Sequence, residues 1–188
     1  MTTIRPERLT DVAARERVLD AAYGAQRFTK PSAKIREGRI PAEGLALVAI
    51  QRGQVVGTVR LWHVSAGPDR PALLLGPLAV APEAQGRGIG GALVRRALRD
   101  ARRRGHRAVL LVGDAAYYGR FGFSAQATSG LRMPGPHDPE RLLAVELVPG
   151  ALTGARGLVT ARGRPIRTAV PVLAAASAET PRVVPRAA

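Results

Sequence analysis

The chain has 188 residues, 46% hydrophobic and 23% charged, a formal net charge of +15 and no cysteine. That length holds one domain with a sizeable core, and the missing cysteines exclude a disulfide framework, a thiolate metal site and a cysteine nucleophile. No apolar run approaches the roughly 20 residues that span a bilayer, and three scattered His are too few for a histidine metal site, so no metal is expected.

In chain order, "MTTIRPERLTD" has no apolar core behind its charges, so no signal peptide is read there and the cytoplasm is the expected location. "DVAARERVLDAAYG" spaces Val12, Leu19 and Ala22 as a helix, with Asp11 as its expected N-cap and Gly24 as its stop. "TKPSAKIREGRIPAEG" reads as a loop with one helical turn over 32–37. "LALVAI" and "QVVGTVRLW", separated by "QRG", predict a β-hairpin. "ALLLGPLAV" predicts a third strand, broken by Gly76-Pro77 into a bulge, because Pro has no N–H to give a ladder.

From Ile89 to Ala101 apolar residues recur every three or four positions, with Arg95, Arg96, Arg99, Arg102 and Arg103 between them and Gly105 closing the helix. A short buried strand "AVLLVG" follows, then Asp114 as the cap of "AAYYGRFG", then a late strand in "RLLAVELV". The predicted order is strand, helix, hairpin, strand, helix, strand, helix, strand, a mixed α/β domain on one central sheet. It spans 1–150. Beyond Gly150 no period persists, and 151–188 reads as a basic Pro/Ala/Arg-rich arm, partly disordered and mobile beyond Thr168.

The charge invites a nucleic-acid reading. Almost all basic residues are Arg, since Lys occurs only at Lys30 and Lys34, and the 151–188 segment alone carries six Arg against one Glu. Three Phe, three Tyr and one Trp do not make a stacking platform for single strands. The favoured reading is a solvated arginine surface, with nucleic acid attracted non-specifically. A basic RNA- or ribosome-associated protein stays as an alternative, and its binding would weaken steeply with salt.

"QGRGIGG", residues 85–91, stands at a strand-to-helix junction. The first N–H groups of a helix lack internal partners and sit at the positive end of its dipole. Glycines there let an anion reach the backbone, so Gln85, Gly86, Arg87, Gly88, Ile89, Gly90 and Gly91 form a candidate phosphate cradle. It is not a Walker A loop. A dinucleotide fingerprint is formally met by Gly86, Gly88 and Gly91, with Asp114 as the acid, although the loop follows a hairpin rather than opening a βαβ series.

The run "LGPLAVAPEAQGRGIGGALVRRAL" resembles the acetyl-CoA-binding segment of the GNAT superfamily of N-acetyltransferases, whose Q/R-x-x-G-x-G/A signature falls on Gln85, Gly88 and Gly90. "GDAAYYGRFGF" is similar to the family's later A-x-x-F-Y-x-x-x-G-F segment, with Tyr117-Tyr118 in the paired aromatic place and Gly122-Phe123 closing it. The likeness extends over 3–150 and is strongest to bacterial predicted acetyltransferases. It implies a mostly antiparallel sheet splayed at the bulged central strand, acetyl-CoA as co-substrate, and direct attack by a primary amine in a ternary complex.

It also implies roles. Leu78, Ala79 and Val80 would hydrogen-bond the pantetheine arm, a backbone N–H of Leu78 or Ala79 would meet the oxyanion, and Tyr118 would protonate the leaving thiolate. One of Arg95 or Arg96 would reach the 3′-phosphate, against the plainer reading of a solvated face. For the base, Glu83, His63, Asp114 and Glu43 are each candidates, and none stands out; "REGRIPAEG" is a candidate cover for the acceptor cleft. A homodimer is compatible with the resemblance. A non-catalytic acyl-CoA-binding module and an NAD-binding Rossmann enzyme both remain open.

Overall fold

The computed structural model describes residues 1–166. Its elements are β1 (Thr2–Pro6), α1 (Val12–Tyr23), α2 (Pro31–Arg36), β2 (Ala46–Gln51), β3 (Gln54–Ala66), β4 (Pro71–Val80), α3 (Ile89–Arg103), β5 (Ala108–Val112), α4 (Ala115–Gly119), β6 (Leu131–Arg132), β7 (Leu142–Glu146) and β8 (Gly157–Ala161). They form an open, mostly antiparallel sheet of eight strands in the order β1-β2-β3-β4-β5-β7, with β8 beside β3 and β6 beside β8. Among the described residues no helix is long and apolar enough to cross a membrane.

The expected hairpin is β2–β3, turned by Arg52 and Gly53, both at positive φ. Strands alternate their side chains between the two faces. Leu73, Leu75, Val109 and Leu111 therefore pack with Leu93 and Val94 of α3 and Leu19 of α1, while Leu74, Leu110 and Trp62 pack on the other face with Ile35 of α2. The apolar stripe read on α3 is the face it buries.

The expected bulge in β4 is present. Val59 pairs with Leu78 and Leu61 with Leu75, so Gly76 and Pro77 together oppose Arg60. On its other side β4 runs parallel to β5 and pairs at Leu73 and Leu74 only. From Leu75 onward the two strands diverge.

Two expectations change. The segment after Gly150 is not irregular throughout its described part. Gly157–Ala161 forms β8, which pairs with Val64–Ala66 of β3 beyond the point where β2 ends. Only Val159 of that strand is buried, so no alternation marks it in the sequence. Residues 167–188, which hold the part of the arm expected to be mobile, lie outside the described residues.

Asp11 does precede α1, but its carboxylate does not bond that helix's N–H groups. It instead accepts from the Arg5 guanidinium at 2.6 and 2.9 Å and from the Arg8 N–H at 2.7 Å. The Arg5 hydrogen bonds, more than any other cause, bring its pKa from 3.8 to about 2. A group whose pKa is depressed by folding stabilises the fold above its unfolded pKa and loses that contribution as pH falls through the folded value. Melting curves of Asp11→Asn should therefore lie below wild type at pH 5–7 and converge with it as pH falls from about 4 to about 2.

Candidate active site

Where β4 and β5 part, a cleft of about 560 Å³ opens. It is bounded by Leu78, Ala79 and Val80 of β4, by Gln85, Gly86, Gly88, Ile89, Gly90 and Gly91, and by Arg95, Tyr117 and Arg120. Every predicted binding residue but Arg87 lines it. The Arg87 side chain is exposed and turns toward Gln51 Oε1 at 3.5 Å.

Gly86 and Gly88 both have φ of +74°, a left-handed conformation that L side chains rarely adopt. They turn the chain so that, after Gln85, whose N–H bonds the Pro82 carbonyl at 3.3 Å, the next N–H to bond a backbone carbonyl is that of Ala92, to Gly88 at 3.0 Å. The N–H groups of Gly86 to Gly91 have no acceptor among the described residues. Gly90 is small for a second reason, because a Cβ there would stand 2.9 Å from the Tyr117 hydroxyl.

The edge of β4 supplies the other wall. In an antiparallel ladder alternate residues turn their N–H and C=O away from the partner. Ala81 donates to the Val56 carbonyl, so the register places Ala79 in the ladder to β3 and turns Leu78 and Val80 toward the gap. Their carbonyls show the same direction. That of Leu78 accepts from the Tyr23 hydroxyl, and that of Val80 from Gln85 Nε2 at 3.2 Å. Of the two N–H groups read as oxyanion donors, it is Leu78's that faces the cleft.

Positive charge gathers at the mouth. Arg95 lies over the Phe121 ring at 5.7 Å and Arg120 over Tyr117 at 4.0 Å. Neither makes an ion pair among the described residues. Arg96, the second arginine considered for a phosphate, is tied to Asp100 at 2.6 Å and to the Ile4 carbonyl at 3.1 Å. Arg120 is not distinguishable in the sequence, since nothing local separates it from other surface arginines.

Tyr118 is half-buried, edge-on to Phe123 at 5.8 Å, and does not line the cleft as Tyr117 does. Burial chiefly, and then the neighbouring phenols Tyr23 and Tyr117, push its pKa up. Tyr23 escapes a reading of the sequence, where it is only the last residue of α1. Tyr23 and Tyr117 thus line the cleft with the stretch of β4 after the bulge, and Tyr118 packs against Tyr117 at 4.9 Å.

The candidate bases disperse. Glu83 and Glu43 are exposed and line neither this cleft nor the cavity behind it. His63 pairs with His106, rings 5.4 Å apart, in a different hollow. Asp114 caps α4, accepting from the Tyr117 N–H at 2.7 Å. That use, and the strand order β1-β2-β3-β4-β5-β7, in which β4–β5 is the one parallel pair among antiparallel neighbours, count against the dinucleotide reading. No group of three or more acidic or His residues among those described is placed to hold a metal.

Behind the bulge, across Pro77, lies a second cavity of about 350 Å³ floored by Trp62. It is closed by α1, α2 and the turn between them, so the expected cover "REGRIPAEG" contributes only its first residues, Arg36 and Glu37.

Residues 42–125 match the family described as "Acetyltransferase (GNAT) domain". The chain is similar to the uncharacterized N-acetyltransferase YhbS of Escherichia coli, 37% identical over 117 residues, covering 61% of this chain and 70% of that protein. It is also similar to the uncharacterized N-acetyltransferase YjhQ of E. coli K12, 34% identical, and spans 58% of YjhQ's length with 54% of its own. Among solved structures, E. coli YhbS in complex with CoA superposes with a TM-score of 0.73 at 32% identity, over 85% of this chain and 89% of that one. A GNAT family acetyltransferase from Brucella melitensis in complex with acetyl-CoA gives 0.58 at 34% identity, over 77% and 96%.

The left-handed backbone at Gly88 makes a specific stability prediction. A Cβ there meets nothing within 4 Å, so Gly88→Ala carries a backbone cost alone. Chemical denaturation should show a loss of about 1–2 kcal/mol.

Proposed function

The chain belongs to the GNAT family of acetyltransferases, and on that premise we propose that it transfers the acetyl group of acetyl-CoA to the nitrogen of a primary amine, with both substrates bound together. One observation carries the reading. The unpaired N–H groups of Leu78 and Val80 and those of Gly86 to Gly91 open into one cleft, which suits an extended amide chain ending in a pyrophosphate.

Acetyl-CoA supplies an activated acyl group on a thiol leaving group. Leu78 and Val80 hold the extended arm by strand-like hydrogen bonds. The loop and the first turn of α3 bind the phosphates, and Arg95 and Arg120 add charge at the mouth. The Leu78 N–H meets the negative charge that develops on the acyl oxygen. The new bond joins the amine nitrogen to the acyl carbon, the carbon–sulfur bond breaks, and the nitrogen gives up a proton to water.

Tyr117 lines the cleft and Tyr118 packs edge-on to that ring at 4.9 Å, and the family resemblance gives Tyr118 the part of proton donor to sulfur. Its raised pKa keeps the phenol protonated throughout the neutral range, so a proton is held ready. That proton passes to sulfur as negative charge builds there and the carbon–sulfur bond breaks, and water restores the proton to the phenolate. No carboxylate lines this cleft. Glu16 and Glu37 line the cavity behind Pro77, Glu16 being held by Arg15 and Arg27, and on this reading water carries the amine's proton away.

Calorimetric titration with acetyl-CoA, paired with thiol release over a panel of primary amines, tests the proposal. Saturable binding and amine-dependent thiol release are expected, and Tyr118→Phe should lower kcat by about 10²-fold or more with acetyl-CoA affinity unchanged. Binding without turnover for any amine would make the chain an acyl-CoA-binding module. Absence of binding would sink the acetyl-transfer reading.

A further inference from the structure

The cavity behind Pro77 contains an imbalance of charge. Three guanidinium groups line it, those of Arg27, Arg36 and Arg60. Arg27 is paired with Glu16 at 2.5 Å and Asp20 at 2.9 Å, and Arg60 with Glu7 at 2.5 Å. Arg36 has no carboxylate within ion-pair distance among the described residues. Its one hydrogen bond runs from Nε to the Ser32 carbonyl at 2.9 Å, which leaves both Nη groups without an acceptor among the described residues.

The position of Arg36 makes this consequential. Burial, the largest cause, brings its pKa down to about 10, and Arg27 adds to the fall while Tyr23 opposes it. It is therefore still cationic at neutral pH, next to the tyrosine whose hydroxyl rests on the Leu78 carbonyl at the bulge. A desolvated cation with no counter-charge is costly, and a guanidinium fork matches a carboxylate through two parallel hydrogen bonds. Two carboxylates also line the cavity: Glu16, which is taken up by Arg27 at 2.5 Å, and Glu37, which makes no ion pair among the described residues, so three cations face two acids. The rest of the wall is apolar, made by Leu19, Phe28, Ala33, Trp62 and Pro77. At about 350 Å³ the space is at the small end of ligand pockets.

We propose that the acetyl acceptor is a small amine that also bears a carboxylate and an apolar side chain, an amino acid in chemical class, with Arg36 gripping the carboxylate. This rests on the acetyl-transfer reading above. The carboxylate on Arg36 fixes one end of the molecule, the side chain lies against Trp62 and Phe28, and the amine is left to point past Pro77 to Leu78. A polycationic acceptor is disfavoured by the same guanidinium.

Trp62 is the only tryptophan of the chain, so its fluorescence reports occupancy of this cavity directly. The probes are matched pairs, L-phenylalanine with 2-phenylethylamine and L-leucine with 3-methylbutylamine, each pair differing by the carboxylate alone. Titrations are run both without CoA and with CoA bound, which avoids turnover. At least one amino acid should give a saturable change, with its decarboxylated partner about ten-fold weaker or worse, as expected for losing a hydrogen-bonded ion pair.

Arg36→Gln should erase that preference, Arg36→Lys should restore part of it, and neither should lower the melting temperature much, since no ion pair among the described residues is broken. Equal binding of acid and amine, no saturable change with either amino acid, or a preference that survives Arg36→Gln would each overturn the proposal. Acetyl-CoA titration of the same preparations reads the second question. Normal acetyl-CoA binding without a carboxylate preference would overturn the Arg36 assignment alone, whereas failure to bind acetyl-CoA would overturn the transferase reading on which it rests.

Discussion

Strand β4 has a partner on its β3 side along both halves of its length, and on its β5 side at two residues only. Everything functional in the fold depends on that loss of pairing. A strand edge buried without partners leaves backbone groups that cost about 1–3 kcal/mol each if nothing bonds them, so an ordinary sheet would close the gap. Here the bulge at Gly76 and Pro77 turns the strand, and two side chains reach the freed carbonyls, Tyr23 to Leu78 and Gln85 to Val80. The neighbouring N–H groups are left for something else. Below the divergence, buried leucines on both faces, among them Leu73, Leu74, Leu110 and Leu111, hold the two strands together and so fix where the gap begins.

The bulge also divides the space. On one side lies the glycine loop with its unpaired N–H groups and two arginines outside any ion pair among the described residues, and on the other a smaller hollow with one. Most other cations near these walls are neutralised by a specific acid: Arg27 by Glu16 and Asp20, Arg60 by Glu7, Arg96 by Asp100. The large net charge therefore says little by itself. Among the arginines lining these two cavities, Arg36, Arg95 and Arg120 are the ones without such a partner among the described residues.

Much of this is readable in the chain. The hairpin, the bulge at Gly76-Pro77, the apolar stripe of α3 and the glycine loop each follow from local rules: period, missing N–H, missing Cβ. The features that escape depend on partners far away in sequence. β8 buries one residue and exists because β3 outruns β2. Tyr23 and Arg36 look like a helix end and a loop cation until α1 and α2 are folded over β4. The pair Tyr117-Tyr118 is legible as a unit, but which ring faces the cleft depends on the path of α4, and Tyr117 is the one that lines it.

The most direct test of this account is amide hydrogen exchange measured residue by residue with and without acetyl-CoA. Leu78, Val80 and the amides from Gly86 to Gly91 should slow on addition of acetyl-CoA, while the Ala79 amide, already bonded within the β3–β4 ladder, should change little. Protection spread evenly over the sheet, or confined to surfaces away from β4 and the glycine loop, would contradict the claim that the unpaired edge of β4 is the binding surface.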